Sequence, residues 1–234
     1  MSDTRIALIS GANRGIGAAV AQVLFNAGWT VSLGMRTPQM PDWAEDAPDR
    51  VHVFAYDAAS EKSAQDWAKA VMETHGRIDA VIANAGIMIP KTPIEITDDE
   101  MAQLLDINVQ GPRRLAAACW DGLKVSGKGR VIILGSLSGK RVKSARAGSY
   151  AMSKFAAVGL AHALRHTGFE DGIRATVVCP GFVATDMALA ISDRAAEAMT
   201  DPKDLAAVIQ MLIELPNEAS VAEFCVNCQL EESF

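Results

Sequence analysis

The chain reads as an α/β protein built on a single parallel sheet of about seven strands, doubly wound, with helices on both faces. Three observations predict it. Short apolar segments alternate with helical ones from end to end. The strand segments are continuous apolar runs rather than alternating ones, as parallel strands buried on both faces require. A glycine-rich turn joins the first strand to the first helix. Strand–helix–strand repetition implies right-handed crossovers within one sheet.

Each element has its own signal. Arg5–Ser10 is a short apolar strand, and Ser10 to Gly17 is the glycine-rich turn. A helix follows from Ile16 to Asn26, then strands at Trp29–Gly34 and, past Pro38, Pro41 and Pro48, at Val51–Tyr56. Ser60–His75 places Ala64, Trp67, Ala68 and Val71 on one helical face. Ala80–Ala83 is the fourth strand, ending in Asn84-Ala85-Gly86, and Asp98–Lys124 reads as one long helical region. Arg130–Gly135 is the fifth strand, and Ser149–Phe169 is helical up to a break at Gly172. Ile173–Cys179 is the sixth strand, stopped by Pro180-Gly181. Pro202 suits a first helical position and opens a helix to Leu215. Ala222–Val226 is the last strand.

Composition narrows the classes. Of 234 residues, half are hydrophobic and 21% charged, enough to bury a sizeable core and to exclude global disorder. Residues 1–234 are expected to form a single domain, without repeat or linker. A net charge of −6 disfavours a surface made for nucleic acid. No apolar run approaches the roughly 18 residues of a membrane span. Met1–Thr4 is polar and Ile6–Ile9 is too short for a signal core, so the expectation is a soluble, cytoplasmic protein. Four cysteines are too few for a disulfide scaffold. Cys119 and Cys179 read as core residues. Cys225 with Cys228, and His162 with His166, have half-site zinc spacings. The reading adopted is strand thiols and helix histidines, with no metal.

In sheets of this kind ligands bind beyond the carboxyl ends of the strands, where strand order reverses. The turn Ser10-Gly11-Ala12-Asn13-Arg14-Gly15-Ile16-Gly17 lies at such an end. Gly11 permits a tight turn, Gly15 lets backbone approach a pyrophosphate, and Gly17 lets helix and strand pack closely. The helix N-terminus offers N–H groups and partial positive charge to phosphates. The second strand ends Gly34-Met35-Arg36, where a carboxylate would bond the ribose of NAD and an arginine would accept the 2′-phosphate of NADP. Arg36, with Arg14 as a second cation, favours NADP(H) over NAD(H). Arg36 reads otherwise as a solvated loop residue. Asp57, after the third strand, either accepts a bond from the adenine amine or caps a helix.

Tyr150 and Lys154 stand at i and i+4 and share a helix face. An ammonium close to the phenol, with the positive charge of an oxidised nicotinamide, would lower the phenol's pKa from near 10 and let it exchange a proton with a substrate oxygen. Ser136, at the end of the fifth strand, offers a hydroxyl to the same oxygen. Asn108 lies within a helix, a poor position for asparagine unless its amide bonds something local.

Together these features resemble the short-chain dehydrogenase/reductase family over nearly the whole chain, implying a Rossmann-type fold. The family's glycine motif matches Gly11, Gly15 and Gly17, and its N-A-G motif matches Asn84, Ala85 and Gly86. Its catalytic tetrad falls on Asn108, Ser136, Tyr150 and Lys154. Its P-G-x-x-x-T motif matches Pro180, Gly181, Val183 and Thr185, with Thr185 implied to touch the nicotinamide carboxamide. The resemblance implies cofactor contacts from Asn13 and Ile16 as well. It implies that Asn108 and Lys154 hold a proton-relay water, and that Lys154 binds the nicotinamide ribose. The implied reaction is reversible hydride transfer between nicotinamide and a small carbonyl or secondary alcohol. It also implies a homodimer or homotetramer joined through Asp98–Lys124 and Ser149–Phe169, and a substrate lid near residues 187–200.

The chain departs from the family pattern in three places. Ser10 replaces the usual threonine, keeping a hydroxyl. The segment between Ser136 and Tyr150 is one residue longer, and Ser136 is chosen over Ser138 because Gly139 follows it at the family's spacing. Residues Glu214 to Phe234 lack the family's frequent C-terminal motif and look more like the branch acting on short hydroxy acids and simple alcohols. Lys140, Arg141, Lys143 and Arg146 crowd one loop, which reads either as a solvated or subunit-contact segment or as an attractor for an anionic substrate. Met187, Leu189, Ile191 and Met199 read either as pocket wall or as helix packing. The rival functional class is a nucleotide-sensing protein on the same fold, and the presence of all four tetrad residues favours the enzyme.

Overall fold

The computed structural model describes residues 4–45 and 47–230. The polar start at residues 1–3 and the end of the C-terminal segment, residues 231–234, lie outside them. Seven strands form one parallel sheet: β1 (Ile6–Ser10), β2 (Thr30–Met35), β3 (Val51–Ala55), β4 (Ala80–Ala83), β5 (Arg130–Leu134), β6 (Arg174–Pro180) and β7 (Glu223–Val226). Their order is β3-β2-β1-β4-β5-β6-β7. Strand order reverses between β1 and β4, so the crevice opens beyond the carboxyl ends of those two strands.

Two apolar layers explain the unbroken strand patterns. On one face Leu8, Val81, Val131 and Ile133 pack under α2 (Glu61–His75), α4 (Gly111–Ala118), α5 (Trp120–Val125) and α6 (Gly148–Gly168), through Trp67, Leu115, Leu123 and Ala157. On the other, Ala7, Ile9, Ile82 and Ile132 pack under α1 (Gly15–Asn26) and α8 (Pro202–Glu214), through Val20, Leu24, Ile209 and Leu212. With both sides covered, alternate residues of a strand enter opposite cores, and both must be apolar. The edge strands differ: β7 is half-buried throughout. Trp67 donates its ring N–H to Ser32 Oγ at 2.8 Å, so its one polar group is satisfied inside the core. Among the described residues no helix is long and apolar enough to cross a membrane.

The expected long helix from Asp98 to Lys124 is broken. Thr97 and Glu100 form a reciprocal capping box that starts α3 (Asp98–Leu105). Asp106–Gln110 then forms a wide π turn, closed by Gly111 N–H donating to the Asp106 carbonyl five residues back. The sequence carries the reason. Pro112 has no N–H, so the Asn108 carbonyl has no α-helical donor four residues on. The segment after β6 is likewise discontinuous, with α7 (Asp186–Leu189), a short 3₁₀ turn at Ala196–Ala198, and a bridge between Val183 and Thr200.

Candidate active site

A cleft of about 1040 Å³ runs across the carboxyl edge of the sheet. At its glycine end, Gly11 and Gly15 have φ of 67° and 56°, a region that costs other residues energy. A Cβ on Gly17 would lie 2.3 Å from the Gly11 carbonyl oxygen and 2.6 Å from Asn84 Nδ2, so only glycine fits there. The hydroxyl of Ser10 accepts from the backbone N–H groups of Asn84 and Ala85, each at 3.0 Å. Asn84 returns two bonds, donating Nδ2 to the carbonyls of Ser10 (3.0 Å) and Gly11 (3.2 Å). The ends of β1 and β4 are thereby locked together. Asn84 lines the cleft, and its amide nitrogen is spent on the turn. Helix α1 begins here with no acidic residue in its first turn, so its partial positive charge faces the cleft uncompensated.

Asn13, Ile16, Arg14, Arg36, Asp57, Ala85 and Gly86 also line the cleft. Arg36 is exposed just past β2. Asp57 accepts from the Ala59 N–H at 3.0 Å, a local turn ahead of α2, whose N-cap is Ser60. Arg14 Nη1 pairs with Asp186, the carboxylate that follows Thr185, at 2.7 Å in an exposed contact. Thr185 sits over the glycine turn: a Cβ on Gly15 would meet its methyl at 3.1 Å. The Thr185 hydroxyl caps α7, accepting from Ala188 N–H at 3.4 Å and donating to the Val183 carbonyl at 3.2 Å.

At the tyrosine end the four tetrad positions meet. Ser136 follows β5, and its Oγ accepts from Ser138 N–H at 3.1 Å. Tyr150, on the first turn of α6, has the Ser136 side chain beside its phenol. Lys154 Nζ lies 5.6 Å from the centre of the Tyr150 ring and donates to the Leu134 carbonyl at 2.7 Å. Asn108 is buried on the π turn. Its Oδ1 accepts from Ile87 N–H at 2.9 Å, and its Nδ2 donates to the Ile87 carbonyl at 2.9 Å and to Ser153 Oγ at 3.0 Å. Ser153 donates in turn to the Tyr150 carbonyl at 2.7 Å. The amide of Asn108 is thus satisfied not locally, as expected, but as a brace between the loop after β4 and the tyrosine helix.

The expectation of a lowered Tyr150 phenol includes an oxidised nicotinamide beside it, and the chain's own surroundings act the other way. Burial pushes the phenol up to about 12, with the neighbouring Ser136 side chain acting downward. Burial pushes Lys154 down to about 8.

Pro180, Gly181, Val183 and Thr185 line the far wall. Gly181 N–H donates to the Val226 carbonyl at 2.8 Å, and the Asn227 side chain packs on Gly181 where a Cβ would stand. The basic loop divides. Arg141, Lys143 and Arg146 line the cleft, whereas Lys140 pairs with Glu223 at 2.5 Å. His162 Nε2 contacts the other oxygen of Glu223 at 2.6 Å, so this histidine belongs to an ionic bracket joining α6, β7 and the turn after Ser136. Cys225 stands opposite Cys179 in the β6–β7 ladder. Met187, Leu189 and Ile191 face the cleft, while Met199 is buried against the body.

Sequence reasoning missed Ser153, Asp186 and Glu223. Ser153 precedes Lys154 and gives no signal of its own, because its partner lies 45 residues away. Asp186 had a faint signal as an acid at a helix start. Glu223 had none, since its partners come from two other elements.

Comparison with known proteins shows the family and the fold. The family model described as short chain dehydrogenase matches residues 5–196. The chain is 36% identical over 228 residues to an agropine synthesis reductase of Rhizobium rhizogenes, covering 97% of this chain and 53% of that protein. It thus spans about half the length of the agropine synthesis reductases it matches. It is 27% identical over 191 residues to an acetoacetyl-CoA reductase of Rhizobium meliloti, covering 82% of this chain and 79% of that protein. An alcohol dehydrogenase from the archaeon Thermococcus sibiricus, solved in complex with 5-hydroxy-NADP, aligns with a TM-score of 0.82 at 26% identity over 96% of each chain. With the family match running from β1 to the turn after α7, and the fold shared along nearly the whole length, this chain belongs to the short chain dehydrogenase family.

Proposed function

We propose that the protein is an NADP(H)-dependent reductase of small carbonyl compounds, working by reversible hydride transfer between nicotinamide and a carbonyl or secondary alcohol carbon. The observation that carries this reading is the convergence of Ser136, Tyr150, Lys154 and, through Ser153, Asn108 at one end of a cleft whose other end is the glycine cradle. The residues fit a dinucleotide. Gly11, Gly15 and Gly17 keep the cradle free of side chains, the α1 N-terminus suits a pyrophosphate, and the cleft admits a molecule of that size. Exposed Arg36, with no carboxylate before Asp42, supports NADP(H) over NAD(H). The similar alcohol dehydrogenase solved with an NADP derivative supports the same choice. Contacts from Asn13, Arg14, Ile16, Asp57, Asn84, Ala85, Gly86, Pro180, Gly181, Val183 and Thr185 complete the proposed cofactor site, since all of them line the cleft.

When bound, the nicotinamide supplies or takes up the hydride. Tyr150 gives the proton to the carbonyl oxygen in reduction. Ser136 bonds the same oxygen and orients it. Lys154, held by the Leu134 carbonyl, places positive charge behind the phenol and reaches the nicotinamide ribose. Asn108 holds the tyrosine helix in place and, with Lys154, a relay water. Residues 187–200 close over the substrate, a role that suits their discontinuous structure. Exposed Met152 and Phe155 on α6 support self-association through that helix.

Tyr150→Phe tests the assignment. NADPH oxidation with responsive carbonyls falls between about 10² and 10⁴-fold, while NADPH binding persists. Unchanged turnover in Tyr150→Phe defeats the reading.

A further inference from the structure

Three charged or titratable side chains behind the tyrosine end are not used by hydride transfer. Glu223, the first residue of β7, is bonded at both carboxylate oxygens. Its Oε2 accepts from Lys140 Nζ at 2.5 Å, and its Oε1 meets His162 Nε2 at 2.6 Å. Lys140, His162 and Glu223 stand outside the lining of the cleft.

The bracket closes on the turn that carries Ser136. Ser136 opens a single 3₁₀ turn, Leu137–Gly139, with Gly139 N–H donating to the Ser136 carbonyl at 2.8 Å and Lys140 N–H to the Leu137 carbonyl at 3.0 Å. The near end of this turn is fixed to the sheet, because Gly135 N–H donates to the Val178 carbonyl at 2.8 Å. Its middle lies flat on α6, where a Cβ on Gly139 would stand 2.6 Å from the Lys154 carbonyl oxygen. Its far end is Lys140. Through Glu223, Lys140 is tied to His162, about two turns of α6 beyond Lys154. One carboxylate therefore joins the turn bearing Ser136 to the helix bearing Tyr150 and Lys154.

Such a bracket is a poor source of stability. The side chains of Lys140, Glu223 and His162 are 23%, 25% and 41% exposed, and partly exposed ion pairs contribute little. What it fixes is position. The bonds from Lys140 and His162 hold the Glu223 carboxyl below the usual carboxylate range, so it stays charged with both oxygens engaged. Position matters at this end of the cleft, because a reacting group displaced by about 1 Å can cost about 10²-fold in rate.

Resting on the hydride-transfer reading, we propose that Glu223 is a positioning residue for that reaction: through Lys140 and His162 it holds the Ser136 hydroxyl at its working distance from the Tyr150 phenol. Glu223 itself stays clear of substrate and cofactor and acts through Ser136.

The test uses the intact chain, NADPH and a carbonyl compound that the wild type reduces. Glu223→Met keeps the length of the side chain and removes both acceptors. In it kcat falls about tenfold, while KM for NADPH and the urea midpoint stay near wild type. Lys140→Met, which cuts the arm of the turn alone, falls as far, and Lys140→Arg retains most of the rate. Reversing the pair, Lys140→Glu with Glu223→Lys, recovers a large part of it. The deciding measurement is the cycle with Ser136→Ala. Glu223→Met costs nothing further in that background, because the residue through which it acts is already gone. Should Glu223→Met not fold, Lys140→Met carries the same cycle. A fall that persists in Ser136→Ala, or wild-type kcat in Glu223→Met or Lys140→Met, overturns the proposal and leaves hydride transfer standing. A carbonyl panel on which the wild type oxidises no NADPH overturns the hydride-transfer reading and this one with it.

Discussion

At the glycine end the work is done by backbone. Gly11, Gly15 and Gly17 clear space, α1 presents its N–H groups, and Ser10 and Asn84 fasten the turn through four short bonds. At the tyrosine end the work is done by side chains that arrive from separate elements. Asn108 comes from the π turn, Ser136 from the turn after β5, and Tyr150 and Lys154 from α6. The first arrangement tolerates almost no added atom. The second is held by polar pairs, and its chemistry depends on what those pairs do to proton affinity.

This contrast sets what each end should lose when altered. The largest effect is expected at the cradle. In Gly17→Ala the added Cβ meets the Gly11 carbonyl, a backbone atom that cannot yield without moving β1. The expected outcome is a loss of NADPH binding of over about 100-fold and destabilisation of about 2 kcal/mol, read by cofactor titration and urea unfolding. A variant that binds normally would show the cradle to be as adaptable as the other end.

A smaller effect, at the tyrosine end, is electrostatic. Burial holds Lys154 at about 8 in the folded protein against its ordinary 10.5. Between those values the unfolded chain binds more protons, so this residue makes stability rise with pH. Tyr150, raised to about 12, acts oppositely only above its ordinary 10. Relative to Lys154→Met, the wild type should therefore gain on the order of 1–2 kcal/mol between pH 8 and pH 10, measured by urea unfolding at both. A difference that stays flat would mean the ammonium is better solvated than its 6% exposure implies.

The smallest effect returns to the glycine end, at the exposed Arg36. Arg36→Ala should weaken NADPH binding about tenfold and leave NADH binding nearly unchanged. Equal loss of both would move the proposed 2′-phosphate contact away from Arg36.

The same contrast explains what could be read in advance. The cradle lies within a few consecutive residues, and glycine is legible because nothing else fits. The strands were legible because burial on both faces leaves an apolar run, as in Ile6–Ser10 and Arg174–Pro180. Tyr150 and Lys154 were legible because one helix turn relates them. The bracket of Lys140, His162 and Glu223 was not, because its members are brought together only by the sheet and α6. The ion pair of Arg14 with Asp186 spans 172 residues, and the raised phenol depends on burial that no spacing encodes. The broken helix at Asp106–Gln110 was visible in principle, in Pro112, which removes the donor for the Asn108 carbonyl.

That interruption has a rotational consequence. Each residue of a regular helix advances the screw by about 100°, so a turn that accommodates one residue more shifts the phase of everything after it. Asn108 on one side of the join, and Leu115 and Ala116 on the other, all point inward. A smooth helix of the same sequence would swing one group or the other out toward water. Excising a single residue between Asp106 and Gln110 would therefore do more than shorten the chain. It would make the amide and the apolar face compete for the same bearing.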